Sequence, residues 1–261
     1  VITSTSNAQV KRIRSLSADP RERRRERMFV LEGVRLVGEA LVAGADLRLA
    51  LFVPEQLAAT EAGQHVLTAL EGQPGCFPAT PQVLAAAADT VTPQGVVAVA
   101  AWPEVPPRPG LTLVLDGVQD PGNVGTLLRS AEAAGIGRVI SGRGTADAYS
   151  PKVVRAAMGA HFYLPLLADV PWEQIGVELG DVAPVYAAVA NATMPYYAAD
   201  WKQPAALIIG GEANGVSQVG LASATKLIAI PMAGRAESLN AAVAGSIILF
   251  EALRQRSRGR T

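Results

Sequence analysis

From Leu111 onward, short apolar runs alternate with stretches of helical periodicity, and this alternation constrains the fold more than any other feature of the chain. The strand-like runs cover residues 111–115, 138–141, 162–167, 185–190, 206–210 and 226–230. Helical spacing marks residues 124–134, 151–158, 172–179 and 239–254. The runs are apolar almost continuously rather than at every second residue, the pattern of strands buried on both faces. An α/β domain with a mainly parallel sheet covered by helices is therefore expected. In such sheets ligands lie at the carboxyl ends of the strands. The polar loops at Asp116, Asn191, Gly210 and Ile230 all follow strand ends, so a site is expected there.

Upstream, residues 1–102 read as a smaller mixed α/β unit. A basic helix over residues 7–17 carries Val10, Ile13 and Leu16 on one face. Strands are predicted at 28–32, 48–53 and 96–101, and helices at 33–43, 55–70 (interrupted at Gly63) and 83–88. Residues 103–110 hold four prolines, which remove amide donors and keep the backbone extended. That makes a semi-rigid linker, and the chain divides into domains 1–102 and 111–261 on either side of it.

The 261 residues carry 23 basic and 23 acidic side chains, so overall charge does not mark a nucleic-acid protein. The distribution says more. Arg21, Arg23, Arg24, Arg25 and Arg27 crowd one region near the start, and Arg254, Arg256, Arg258 and Arg260 crowd the end. Both clusters fit a phosphate-binding surface, and equally a solvated helix face with i to i+4 pairing. Cys76 is the single cysteine, and His65 and His161 lie far apart without metal-ligand spacing. Neither an internal disulfide nor a metal centre is expected. No apolar run is long enough to span a membrane, and residues 1–15 lack the core of a signal peptide, so a cytoplasmic location is expected.

Four stretches could carry chemistry. In residues 116–129, Asn123 suits a helix N-cap, and Arg129 points away from the apolar stripe of Val124, Leu127, Leu128 and Ala131. An arginine so placed can meet a phosphate or a reacting hydroxyl, or simply sit on the surface. Gly210 and Gly211 let backbone approach a ligand at a strand end, with Glu212 beside them as a contact, a base or a solvated turn residue. Lys152 and Arg155, behind Pro151, put two cations on one side of a helix. Finally, a strand end at Ile230 breaks at Pro231, crosses a polar loop and enters a helix that Ser238 or Asn240 can cap. Val243, Ile247 and Phe250 are expected to face the core from that helix, while Ala241, Ala242, Ala244, Gly245 and Ser246 keep its other faces slim.

Taken in order, these segments resemble a known family. Asn123-x-Gly125-x-x-x-Arg129, Gly210-x-Glu212-x-x-Gly215 and Ile230-Pro231-Met232-x-Gly234-x-x-x-Ser238-Leu239-Asn240 are similar to the three motifs of the SpoU/TrmH family, RNA ribose 2′-O-methyltransferases of the SPOUT superfamily. The likeness covers residues 111–256. The first hundred residues, with Glu32-Gly33 before a helix, resemble the L30e-like substrate-binding domain that many members carry. The resemblance implies a C-terminal trefoil knot and a homodimer. It implies S-adenosylmethionine held largely by backbone at Gly210, Ile230 and Leu239, with Ala190, Gly211 and Met232 nearby, and no metal. Arg129 would be the catalytic residue, helping to deprotonate the ribose 2′-hydroxyl or stabilising the alkoxide. Asn123, Glu212, Ser238 and Asn240 would orient it and the ribose. The expected substrate is ribosomal RNA, 23S foremost, with Arg23, Arg24, Arg25, Lys152 and Arg155 as RNA contacts. Transfer RNA is the alternative substrate, and a catalytically silent RNA-binding or assembly factor the alternative function. One departure stands out: Ala241 and Ala242 occupy positions where members commonly have Val-Ser.

Overall fold

The computed structural model describes residues 1–257, so Arg258 and Arg260 of the terminal basic cluster lie outside the described residues. The chain forms two compact units. The first comprises Val1–Glu104 with Tyr149–Phe162, and the second Val105–Ala148 with the chain from Tyr163 onward.

In the first unit, helix α1 (Ala8–Ala18) starts at Asn7, whose side chain accepts the Gln9 amide at 2.8 Å. Helix α2 (Pro20–Glu26) follows behind an Asp19 cap. Then come strand β1 (Met28–Glu32), α3 (Val34–Val42), β2 (Leu47–Phe52), α4 (Pro54–Leu57), α5 (Glu61–Leu70), β3 (Cys76–Pro78), α6 (Pro81–Ala87) and β4 (Val96–Ala101). The sheet order is β1-β4-β2-β3, with β4 antiparallel to both neighbours and β3 parallel to β2. Val10, Ile13 and Leu16 of α1 and Val83 and Leu84 of α6 close one face against Val30, Leu51 and Val99. The expected helix over 55–70 is two helices. Its break falls before Thr60, whose hydroxyl accepts the Gly63 amide at 3.1 Å. Gly63 itself is helical, and a Cβ there would strike the Leu57 carbonyl, so the glycine lets α4 and α5 touch rather than interrupting either. Strand β3 escapes sequence reading because three residues, two half-buried about an exposed Phe77, are too few to show a periodicity.

The second unit opens with β5 (Leu111–Asp116), α7 (Pro121–Ala133) and β6 (Arg138–Gly142). Helix α8 (Pro151–Ala157) comes next in the chain, but the segment Tyr149–Phe162 belongs to the first unit, where α8 packs on β1. Tyr149 stacks on Trp102 at 4.0 Å and meets the edge of Phe29 at 5.3 Å. The predicted strand at 162–167 accordingly starts late: Ala160–Phe162 is a 3-10 turn, and β7 runs Leu166–Val170. After β7 come α9 (Trp172–Leu179), β8 (Val185–Ala188), β9 (Met194–Pro195), β10 (Ala205–Gly210), α10 (Gln218–Ser223), β11 (Lys226–Ala229) and α11 (Ala241–Ser257). The seven strands lie in the order β7-β6-β5-β10-β8-β11-β9, and every pair is parallel. This is the α/β architecture that the apolar runs predict. On one face, Ile175 and Leu179 of α9 pack with Val114, Ile140 and Ile208. Helix α11 packs on α7 and β10.

Helix α11 inverts one expectation. Its buried residues are Ala241, Ala242, Gly245, Ile248, Leu249 and Ala252, whereas Val243 and Phe250 are 47% and 48% exposed. The cause is the closeness of α7. A Cβ on Gly245 would collide with Leu127, and the hydroxyls of Ser130 and Ser246 meet at 2.7 Å. Only small residues fit where the two backbones approach, so Val243 and Phe250 turn outward while Ile248 and Leu249 lie buried on other parts of the helix. Among the described residues, no helix is long and apolar enough to cross a membrane.

Candidate active site

Strands β10, β8 and β11 are adjacent and parallel, so the loops that follow them emerge at one sheet edge. Together with the start of α11 they enclose a cavity of about 560 Å³, within the ordinary range for a small-molecule or cofactor site. Its apolar wall includes Ile209, Ile228 and Ile248. The rest is mostly backbone and small side chains: Ala188, Ala190, Gly210, Gly211 and Ala244. Glu212 and Glu237 put two carboxylates on the lining. All six residues expected around a cofactor line this cavity: Ala190, Gly210, Gly211, Ile230, Met232 and Leu239.

Two glycines make the cavity possible. A Cβ on Gly210 would collide with the Gly215 carbonyl and the Val216 amide, and one on Gly211 would strike the Gly117 carbonyl. The backbone of β10 therefore leaves the sheet through a pinched loop, closed by the Gly215 amide on the Gly211 carbonyl at 2.9 Å. That closure presents Glu212 at its exposed tip.

Three of the predicted polar residues meet across long stretches of sequence. Asn123 donates its side-chain amide to Glu212 Oε1, and Asn240 Nδ2 donates to Asn123 Oδ1 at 3.0 Å. The Gln119 amide adds a longer bond to Glu212 Oε2 at 3.4 Å. Asn240 Oδ1 accepts the Ala242 and Val243 amides at 2.9 and 3.2 Å, which makes it the cap of α11. Ser238 lines the cavity without capping the helix. Asn123 is not the cap of α7. Asp120 holds that place, accepting the Asn123 amide at 2.8 Å, with Pro121 starting the helix. Asn123 thus sits one turn inside, its side chain freed for Glu212 and Asn240. Ala242 is buried, and the Ser246 hydroxyl one turn later bonds both the Ala242 carbonyl and Ser130 at 2.7 Å.

Arg129 stands apart from this network. It is exposed on α7, is absent from the cavity lining, and among the described residues makes no hydrogen bond or ion pair. Gly125, one turn earlier on the same helix, is by contrast buried.

The expected RNA contacts divide by environment. Arg23 is corrected outright: it is 3% exposed, and its Nη1 donates to the Leu16 and Ser17 carbonyls at 2.5 and 2.9 Å. Those carbonyls end α1, so the arginine serves the helix terminus and offers nothing to a phosphate. Arg155 is half-buried and pairs with Asp89 at 2.8 Å and Glu32 at 4.0 Å. Arg25 is exposed but paired with Glu22 at 2.5 Å and Glu26 at 3.3 Å. Arg24 and Lys152 are exposed. Charge spacing in the sequence cannot distinguish these cases, because α2 presents different faces to solvent and to α1.

A parallel α/β sheet with a glycine-cradled cavity at its carboxyl edge defines a class, a small-molecule-dependent α/β enzyme. Comparison with known proteins narrows it. Residues 110–250 match the SpoU rRNA Methylase family and residues 7–98 the MRM3-like substrate binding domain, so the chain belongs to the SpoU rRNA methylase family. It is 34% identical over 250 residues to the 23S rRNA (guanosine(2553)-2'-O)-methyltransferase RlmP of Bacillus subtilis, covering 95% of this chain and 97% of the relative. It is 31% identical over 271 residues to the 23S rRNA (uridine(2479)-2'-O)-methyltransferase of Streptomyces viridochromogenes, covering 99% and 93%. The crystal structure of the SpoU methyltransferase AviRb from Streptomyces viridochromogenes in complex with AdoMet aligns with a TM-score of 0.83 at 29% identity, over 96% of this chain and 98% of that one. The AdoMet-bound rRNA methyltransferase from Sinorhizobium meliloti aligns with a TM-score of 0.82 at 32% identity, over 97% of each chain.

Proposed function

We propose that this protein transfers a methyl group from S-adenosylmethionine to a ribose 2′-hydroxyl of ribosomal RNA, with a nucleotide of 23S rRNA as the target. The observation that carries the reading is the Asn240–Asn123–Glu212 chain beside the cavity, which gathers the three motif loops at one point.

The cavity residues fit the cofactor. Its volume suits a ligand of that size, its isoleucine walls suit an adenine, and Glu212 and Glu237 complement the sulfonium and ammonium charges. Gly210, Ile230 and Leu239 would hold it through backbone groups, with Ala190, Gly211 and Met232 around them. S-adenosylmethionine, when bound, supplies a methyl group already activated on sulfur. The protein's share is then placement of the 2′-hydroxyl and stabilisation of the charge that develops on its oxygen. Arg129, exposed and without an ion pair among the described residues, is available to a backbone phosphate and the adjacent hydroxyl. An arginine stays protonated in proteins, so its part is electrostatic, and the hydroxyl proton leaves to a neighbouring phosphate oxygen or to water as the oxygen takes the methyl group. Asn123 and Asn240 fix Glu212, and Ser238 adds a hydroxyl to the same wall.

RNA would be gripped by the first unit, with Arg24, Arg25 and Lys152 as its exposed cations. Reading a ribose 2′-hydroxyl also separates RNA from DNA. The outward Val243 and Phe250 of α11 support a homodimer formed by that helix. A trefoil knot of the C-terminal segment and a cytoplasmic location complete the reading.

The test is methyl transfer from labelled S-adenosylmethionine to purified ribosomal and transfer RNA. Label in ribosomal RNA alone supports the reading. Label confined to transfer RNA moves the substrate, and cofactor binding without transfer to either RNA favours a silent binder.

A further inference from the structure

We propose that Asp116 is a positioning residue of this site, its carboxylate fixing the stem of the loop that carries Glu212 and walls the cofactor cavity. The inference rests on the methyltransferase reading for its consequences, and on geometry alone for the anchor itself.

Asp116 ends β5 and is only 5% exposed. Its Oδ2 accepts the Ser217 amide at 2.6 Å, and its Oδ1 accepts the indole N–H of Trp172 at 3.1 Å. Its backbone carbonyl accepts the Gly211 amide at 3.0 Å. One residue therefore holds both ends of the 211–217 loop, the near end by backbone and the far end by side chain. Between those ends lie Gly211, Glu212 and Gly215, all on the cavity lining. Trp172 starts α9, so the loop is also referred to the opposite layer of the sheet. The fit is tight: a Cβ on Gly220 would lie 2.8 Å from Asp116 Oδ2 and 3.1 Å from the Trp172 ring.

A carboxylate is the one small group that satisfies this arrangement. Both partners are N–H donors, and only an ionised carboxylate offers an acceptor to each without a donor of its own. An asparagine of the same shape would turn its NH2 against one of them. Charge-assisted bonds of this kind are also the stronger ones, which suits a loop whose tip is otherwise exposed.

The experiment uses the full chain as wild type, Asp116→Asn and the double variant Asp116→Asn with Trp172→Phe. Three quantities are read: amide hydrogen exchange of residues 211–217, cofactor affinity by calorimetry, and kcat and KM on ribosomal RNA. Asp116→Asn should speed exchange in the loop and weaken cofactor binding about tenfold or more, the scale of one lost bond to a charged group. In the double variant the competing indole donor is gone, the amide can turn its oxygen to Ser217, and cofactor affinity should recover toward wild type. A part confined to stability would lower the melting temperature without this recovery. Ser217→Pro is the second variant should Asp116→Asn not fold. The φ of −64° at Ser217 suits proline, and the change deletes the loop-side donor along with the Ser217 hydroxyl that caps α10. The same faster loop exchange and weaker cofactor binding are expected, with Ser217→Ala as the control that removes the cap alone. Unchanged loop exchange, or weakened binding that Trp172→Phe fails to restore, overturns the proposal. A wild type that binds no cofactor while Asp116→Asn still loosens the loop overturns the methyltransferase reading instead and leaves the anchor standing.

Discussion

Asn240 donates to Asn123 at 3.0 Å across 117 positions of sequence, while its own side-chain oxygen caps the first amides of α11. One side chain thus starts the last helix and orients the residue that holds Glu212. The two roles separate by mutation. Asn123→Ala should lower kcat at least tenfold, since Glu212 loses its amide donor, with a melting temperature close to wild type. Asn240→Ala should lower both, because removal of an N-cap costs about 1 kcal/mol in addition. Thermal melts and single-turnover rates on the same preparations check the pair.

The buried and exposed arginines of α2 should behave oppositely. Arg23→Gln removes two carbonyl partners of α1 and is expected to cost about 2 kcal/mol of stability, the scale of bonds to a charged group. Lys152→Gln should leave the melt unchanged, and Arg24→Gln, at an exposed position, should cost less stability than Arg23→Gln. Each should weaken RNA binding and reduce the slope of log K against log salt by about one. Filter binding at several salt concentrations decides this.

Gly245→Val is expected to destabilise the second unit by about 2–3 kcal/mol, because the added carbons meet Leu127 and the cost of overpacking outweighs any gain in helix propensity. The same change at Ala244, which faces the cavity, should instead weaken cofactor binding. Urea denaturation together with calorimetry distinguishes the two outcomes.

Burial pushes the Cys76 thiol above its ordinary value. A raised thiol pKa means less thiolate at any pH below it, so iodoacetamide should label the native chain several-fold more slowly than the urea-unfolded chain at pH 8. The native rate should climb as pH rises further. As the single cysteine, it is the one thiol that the reagent can label.

Much of this was legible in the sequence because each part rests on local pattern. Continuous apolar runs predict the parallel sheet, and the loops after Asp116, Gly210 and Ile230 fall at strand ends, where the cavity lies. What was not legible depends on neighbours distant in the chain. The periodicity of α11 selects Val243 and Phe250 as core, yet the approach of α7 at Gly245 reverses the faces. Nothing in the local sequence separates Arg23 from Arg24 until the fold buries Arg23 against two carbonyls of α1 and leaves Arg24 exposed. The segment Tyr149–Phe162 lies inside the second half of the sequence but packs on Phe29 and Trp102, a partnership no window of local sequence contains. Asp116 reads as a strand end, and only the return of Ser217 and Trp172 reveals its carboxylate as an anchor.

The most direct measurement is to map the labelled product of wild type and Arg129→Ala on ribosomal RNA by alkaline hydrolysis and nucleoside analysis. The expected result is one alkali-resistant linkage bearing a 2′-O-methyl nucleoside with wild type, lost with Arg129→Ala while cofactor binding persists. A methyl group on a base, or a 2′-O-methyl formed equally well by Arg129→Ala, contradicts the ribose chemistry or the role given to Arg129.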